Sequence, residues 1–215
     1  ALDAGLAWAY AWRGYAWSQM GRFGRARADL DAALRLEPDH ANAHAWRGGL
    51  LRQEGRLEGA LGDLDEAGAK NVAQEITRAN GGGRALGLSM DVTSERSVKR
   101  GFEEAVLTYG GVDIIVSNAG IAHSAPVDRM ELADWEKSFA VNSTGHFLVA
   151  REGVRLLKAQ GLGGSLVFVA TKNVMSPGKD FAAYSASKAA EAQLAKVLAL
   201  EGGPYGIRSN IVNPD

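Results

Sequence analysis

Four short apolar runs set the architecture available to the second half of this chain: 85–91, 112–117, 164–170 and 207–212. Each is rich in Val, Ile, Leu or Phe, has strand length, and is separated from the next by a stretch with helical periodicity. The helices are expected near 95–109, 131–159 (broken) and 183–202. Strands and helices in alternation predict a parallel α/β sheet. The first third reads differently, with helices expected near 7–20, 24–36, 41–54 and 57–80.

Within the alternating part, several residues stand where such sheets do chemistry. Thr171 follows the run Ser165–Ala170, and the carboxyl ends of strands are where open α/β sheets place ligands. Val112–Ser117 leads into Asn118-Ala119-Gly120, whose small residues let a ligand approach the backbone. Asn142 falls in the helical stretch before Phe147. Thirteen residues after Thr171 comes Tyr184-Ser-Ala-Ser-Lys188, which puts a phenol and an ammonium one turn apart on one helical face. A fixed cation favours the anionic form of a phenol, so the pair can accept a proton from an alcohol or return one to a carbonyl. Each residue also has a structural reading: Thr171 as a strand-end hydroxyl, Asn118 as a turn former, Asn142 as a satisfied core amide.

In type, order and spacing, Asp63, Asp91, Asn118, Gly120, Asn142, Thr171, Tyr184, Lys188 and the closing Ile207–Pro214 resemble the short-chain dehydrogenase/reductase family. The resemblance implies a Rossmann-like domain and an NAD(P)-dependent oxidoreductase. It implies catalytic roles for Tyr184 (acid/base), Lys188 (ribose and Tyr184), Asn142 (a water-borne proton relay) and Thr171 (orienting the reacting oxygen). Asp91, Asn118 and Gly120 line the implied cofactor cleft, with Tyr184 and Lys188 at its reacting end. Two departures are a threonine where the family usually has serine, and Pro214-Asp215 in place of Pro-Gly. Ala170–Asn173, Pro177–Ala183 and Glu191–Leu194 are similar to the dehydrogenase half of bifunctional rhamnulose-1-phosphate aldolase/alcohol dehydrogenase proteins. That likeness implies lactaldehyde or another small hydroxyaldehyde, alcohol or polyol as substrate.

The N-terminal part carries a repeat. Tyr10, Gly14, Trp17, Gly21, Ala26, Leu30 and Ala33, followed by Pro38, recur 34 positions later as His44, Gly48, Leu51, Gly55, Ala60, Leu64 and Ala67. This period and pattern of small and aromatic residues is that of tetratricopeptide (TPR) repeats. Gly14, Ala26 and Ala33 let two helices approach, while Trp17 and Leu30 fill between them. Trp8, Trp12 and Trp46 are expected to be exposed. Such repeats resemble peptide-binding scaffolds, so a protein partner is one alternative and simple helix stacking another.

The domain expectation is therefore residues 1–67 as partial TPR repeats, an all-α helical-hairpin segment, and 68–215 as an incomplete, truncated Rossmann domain. At the junction, Gly62–Asp65 fits either the second helix of a repeat or the end of a second strand. In the second case Asp63 holds the adenosine ribose and favours NAD over NADP. Helix formers from Leu57 to Ala79 favour one long or kinked helix and no second strand. No glycine-rich turn opens a helix, and Gly81–Gly83 reads as a helix cap. These two features predict little turnover by this chain alone.

A net charge of −1 gives no case for nucleic acid, and no long apolar run marks a membrane span. With no cysteine and four scattered histidines, no metal site is expected. His40 and His44 read as a surface pair and His123 as a loop residue or a pocket border. A cytoplasmic protein, able to form a homo-oligomer, is the expectation.

Overall fold

The computed structural model describes residues 4–37, 40, 42, 43, 46, 47, 50, 59–79 and 85–214. The chain divides into two compact units: Ala1–Leu88 with Glu103–Val112, and Ser89–Phe102 with Asp113–Asp215.

The first unit opens with helices α1 (Ala4–Gln19) and α2 (Phe23–Leu36). Gly21 turns the chain between them in the left-handed region, φ 67°, a conformation that favours glycine. A Cβ on Gly14 would lie 2.8 Å from Leu30 Cγ and 3.1 Å from the Ala26 carbonyl, so the glycine is what lets α1 and α2 close on each other. Ala11, Ala26, Leu30, Ala33, Ala43 and Leu50 form the buried cluster, with Trp17 packed against it. Arg13 clamps Asp29 across the pair through Nε–Oδ2 (2.6 Å) and Nη2–Oδ1 (2.8 Å).

Trp8 and Trp12 are half exposed as expected, whereas Trp46 is partly buried, its ring 4.9 Å from both Trp12 and Tyr15. His40 departs from the surface reading: it is buried, and its Nδ1 accepts the N–H of Ala43 at 3.3 Å, capping the segment that follows. Pro38, His44, Gly48, Leu51 and Gly55 of the repeat, Gly81–Gly83 and Asp215 lie outside the described residues.

The continuous helix expected over 57–80 is not formed. Residues Gly59–Asp63 are a strand, β1, and the helix, α3, runs only from Glu66 to Ala79. The expectation that the first strands are lacking is therefore corrected for this one. Two glycines weaken a helix over 59–62, and the aspartates supply turn chemistry that stops it. Asp63 Oδ1 accepts the N–H of Asp65 at 2.9 Å, and Asp65 Oδ1 caps α3 by accepting the N–H of Gly68 at 3.1 Å. β1 pairs with β2 (Ala85–Ser89) in a two-stranded sheet. Gly87 lies directly on the Ala69–Lys70 backbone of α3, with no room for a side chain. Tyr109, at the end of α4 (Glu95–Tyr109), donates its hydroxyl to the Gly59 carbonyl at 2.8 Å.

The second unit holds the parallel sheet β3 (Ile114–Ser117), β4 (Gly164–Val169) and β5 (Ile207–Val212), in that order. Ser117 pairs with Phe168, and Val169 with Val212, so the three strands end together. The helical stretch expected to be broken is α5 (Leu132–Phe139), one π turn (Ala140–Gly145) and α6 (His146–Gln160). Helix α7 (Ala182–Gly202) follows β4. Leu157, Leu166, Phe168 and Ile207 are the large apolar side chains of this core. Among the described residues no helix is long and apolar enough to cross a membrane, and no group of three His, Asp or Glu could hold a metal ion.

Candidate active site

The carboxyl ends of β3 and β4, the π turn and the first two turns of α7 meet in the second unit. Lys188 is buried, and its Nζ donates to the Val169 carbonyl at the end of β4, 2.8 Å away. The same nitrogen lies 2.8 Å from Glu191 Oε2, an ion pair whose direction is poor for a hydrogen bond. A Cβ placed on Gly120 would lie 3.6 Å from Lys188 Nζ and 3.5 Å from Asn142 Oδ1. Glycine there leaves the ammonium one open side, and Asn118 and Gly120 are themselves exposed. This cradle, which a side chain would narrow, fits a polar ligand group such as a ribose hydroxyl.

Asn142 sits in the π turn, a helical irregularity that often marks functional positions. Its Oδ1 accepts the Ile121 N–H at 2.9 Å, while Nδ2 donates to the Ile121 carbonyl at 2.8 Å and to Ser187 Oγ at 3.1 Å. Both amide hydrogens are thus committed, and the side chain's work is to pin the Asn118–Ile121 loop to α7. Ser187 donates to the Tyr184 carbonyl at 3.0 Å, tying this arrangement to the helix that carries the tyrosine. Tyr184 is partly exposed, its ring edge-on to Phe181 at 6.1 Å.

Thr171 follows β4 in extended backbone, and its Oγ1 accepts the Asn173 N–H at 3.3 Å to cap a short 3-10 turn. The capping role uses an acceptor position and leaves the hydroxyl hydrogen to donate. The structural readings of Thr171 and Asn142 are therefore both realised, beside whatever chemistry they perform.

Asp91 holds a turn. Its Oδ1 accepts from the Thr93 N–H at 2.9 Å and from the Thr93 hydroxyl at 2.7 Å. The next residue, Val92, packs on the π turn, where a Cβ on Gly145 would come within 2.8 Å of it. Asp63 belongs to the first unit and stands, exposed, at the end of β1. His123 pairs with Asp134 at 3.3 Å. An apolar hollow lined by Val127, Met130, Leu132, Trp135 and Ala182 opens beside the start of α7; none of the four signature side chains lines it. The bridge between Ala125 and Phe181 holds the two segments flanking that hollow together.

Ser117, His146 and Glu191 are buried polar residues to which the sequence reading gave no role in the site. His146 Nδ1 is 2.6 Å from Ser117 Oγ and 3.5 Å from Glu191 Oε1. Burial, reinforced by the Lys188 charge and opposed by the Ala119 backbone, lowers the His146 pKa from 6.5 to about 4, so the imidazole is neutral at pH 7. Burial raises Glu191 from 4.5 to about 7 although Lys188 pulls the other way. The signal available in the sequence was the three-residue spacing of Lys188 and Glu191, which puts both on one helical face.

Residues 53–215 match the family described as short chain dehydrogenase. The uncharacterized oxidoreductase YuxG of Bacillus subtilis is 51% identical over 148 residues, covering 69% of this chain and 22% of that protein. Sorbitol-6-phosphate 2-dehydrogenase of Escherichia coli is 39% identical over 142 residues, 65% of this chain and 54% of that protein. The chain thus spans between about a fifth and about half the length of these curated relatives. The solved 3-ketoacyl-(acyl-carrier-protein) reductase of Brucella melitensis, complexed with NADH, aligns with a TM-score of 0.69 at 29% identity, over 81% of this chain and 70% of that one. The family match runs unbroken from residue 53 through the strand-end threonine and the tyrosine–lysine helix, and this chain belongs to the short chain dehydrogenase family of oxidoreductases.

Proposed function

We propose that this site moves a proton to or from the oxygen of a small alcohol, hydroxyaldehyde or polyol while a nicotinamide cofactor exchanges hydride with its carbon. The observation that carries this reading is the exposed Gly120 edge over the Lys188 ammonium, on the same helix as Tyr184. A bound nicotinamide supplies the hydride chemistry. Tyr184 Oη takes the alcohol proton in the oxidative direction and returns it in the reductive one. The Thr171 hydroxyl donates to the reacting oxygen and fixes its orientation. Lys188 holds the ribose and keeps positive charge beside the phenol, while Asn142 keeps the Asn118–Ile121 loop in place and supports the proton relay.

Asn118 and Gly120 border the cofactor, and Asp91 lies near its adenine end. The family resemblance gives Asp63 the role of hydrogen-bonding the adenosine ribose; its Oδ1 serves the turn to Asp65, and Oδ2 is the oxygen proposed for the ribose hydroxyls. A carboxylate there repels a 2′-phosphate and favours NAD over NADP. Lactaldehyde is the substrate proposed first. The likeness to a sorbitol-6-phosphate dehydrogenase supports a polyol-type substrate in general. Binding and turnover by residues 1–215 are expected to be weak, because no glycine-rich turn in this sequence opens a helix for the pyrophosphate. The setting proposed is cytoplasmic, with self-association into a homo-oligomer open to the second unit.

The second reading concerns the first unit. The close helix pair α1/α2, with half-exposed Trp8 and Trp12, supports a partial TPR segment that takes a peptide or protein partner. In this reading the repeats fill the part of 1–67 before β1, and the dehydrogenase portion, proposed as 68–215, includes β1 as well.

The deciding experiment is an NADH fluorescence titration on protein shown by circular dichroism to be folded. Saturable binding supports the oxidoreductase reading and leads to lactaldehyde turnover assays. A folded sample that binds no NADH rejects that reading for this chain. A peptide that saturates the first unit and changes tryptophan fluorescence would then put the second reading ahead.

A further inference from the structure

We propose that Glu191 is the positioning residue for Lys188, and that His146 and Ser117 seat Glu191 in turn, so that a buried chain of four polar side chains aims the ammonium at the Gly120 edge. The inference rests on the reading of Lys188 as the residue that holds the cofactor.

Lys188 and Glu191 are 3% and 0% exposed. Neither charge is tolerable at such burial without the other, since an unpaired buried ion carries a desolvation cost that only a close counter-charge offsets. The ammonium has three hydrogens. The Val169 carbonyl takes one N–H and the Glu191 Oε2 charge holds the ammonium from the interior side, each 2.8 Å away, so the side where Gly120 has no Cβ stays open to a further N–H. Without Glu191, the lysine stem is held by one carbonyl and free to turn about it.

The rest of the chain fixes the carboxylate. Glu191 Oε1 faces His146 Nδ1 at 3.5 Å, and that same nitrogen lies 2.6 Å from Ser117 Oγ. In the proposed arrangement a neutral imidazole carries its proton on Nδ1, donates to Ser117 Oγ and turns that positive edge toward Glu191 Oε1, where a lone pair would repel a carboxylate. Ser117, His146 and Glu191 are also the residue types of a nucleophilic triad. That reading fails on geometry: in a triad the acid and the nucleophile use opposite ring nitrogens, and here both use Nδ1. His146 and Glu191 are moreover closed to substrate, at 1% and 0% exposure. The arrangement therefore orients and does not attack. It draws on the end of β3, the first residue of α6 and one face of α7, the three elements that converge beneath the Asn118–Gly120 loop.

The test follows side-chain titrations of the full chain by NMR, with labelled histidine and glutamate, in the wild type, Lys188→Met and Glu191→Gln; the last also assigns the Glu191 signal. Removing the lysine charge should raise the midpoints of both Glu191 and His146, by about one pH unit, a tenfold change in proton affinity. Unchanged midpoints in folded Lys188→Met overturn the proposal. If that variant does not fold, Lys188→Gln, which is neutral but keeps an N–H for the Val169 carbonyl, is read in its place, and an unmoved Glu191 midpoint there overturns the inference. The functional arm is NADH affinity. Isosteric Glu191→Gln should weaken it about tenfold, about one pKa unit's worth of interaction, and should lower the thermal midpoint as well, because the buried ammonium loses its counter-charge; unchanged affinity in the folded variant means that Glu191 only packs. A wild type that binds no NADH sinks the cofactor reading instead, and the titrations alone then decide whether Glu191 holds Lys188.

Discussion

The α1/α2 pair and the Lys188 region solve the problem of polar groups in opposite ways. In the helix pair the buried apolar cluster is alanine and leucine, and the Arg13–Asp29 ion pair sits at the rim with Arg13 more than half exposed. In the second unit Lys188, Glu191, His146 and Asn142 lie inside, each almost without exposure. An apolar interior needs only close packing. A charged one needs counter-charges and hydrogen bonds set around it, and such an arrangement persists where a particular group has to be held in a particular place.

Substitutions in the two regions should therefore separate stability from chemistry. The largest effect is expected at Tyr184→Phe, which removes the proton-transferring hydroxyl: oxidoreductase turnover should fall by about 10²–10⁴-fold with the thermal midpoint unchanged. Equal rates in the variant and the wild type would refute the assigned mechanism. Leu30→Ala should do the reverse, lowering stability by about 2–5 kcal/mol in chemical denaturation while NADH affinity stays constant. A loss of affinity there would mean that the two regions are coupled.

The pH dependence of stability near neutrality sharpens the contrast, because His146 and Glu191, whose shifts fall in that range, both lie in the second unit. His146 titrates at about 4 folded and 6.5 unfolded, so its contribution is present above pH 6.5 and is lost as pH falls toward 4. Glu191 titrates at about 7 folded and 4.5 unfolded, so its contribution is present below pH 4.5 and is lost as pH rises through 7. Each spans about 3 kcal/mol at most, and the two slopes oppose each other over their shared window. Urea midpoints should accordingly be nearly flat from pH 4.5 to 6.5 in the wild type. They should rise with pH in Glu191→Gln and fall with pH in His146→Gln.

A smaller effect is expected at Gly14→Ala. Alanine is the better helix former, but its methyl would meet Leu30 at 2.8 Å, and overpacking of this kind costs about 1–3 kcal/mol. A stabilised variant would show that α1 and α2 are less closely packed than described. The smallest is Thr171→Ser, which keeps the hydroxyl and removes one methyl, and should leave both turnover and the thermal midpoint close to wild type.

Much of this was readable before any coordinates. Strands at 114–117, 164–169 and 207–212 fall within the expected runs, since apolar strands bounded by helical stretches have few alternatives. The helix break within 131–159 was expected, though not that it takes the form of a π turn. The junction misled because helix formers from Leu57 to Ala79 outweighed Gly59, Gly62, Asp63 and Asp65 in a propensity reading. Strand pairing with 85–89 and the two aspartate turns reversed the balance. His40 misled for a related reason: its backbone cap to Ala43 and its burial depend on neighbours that spacing does not reveal.

The sequence alone determined that Tyr184 and Lys188 share one face of a helix, that Thr171 ends a strand, and that a small-residue loop follows Ser117. These are consequences of periods of 3.6 and 2 residues, which act between near neighbours. Only the tertiary structure decided what surrounds Lys188. His146 reaches Ser117 across 29 positions, and Asn142 reaches Ser187 across 45. Contacts at such separations are set by how elements pack and by the need of every buried polar atom for a partner, which no local pattern encodes.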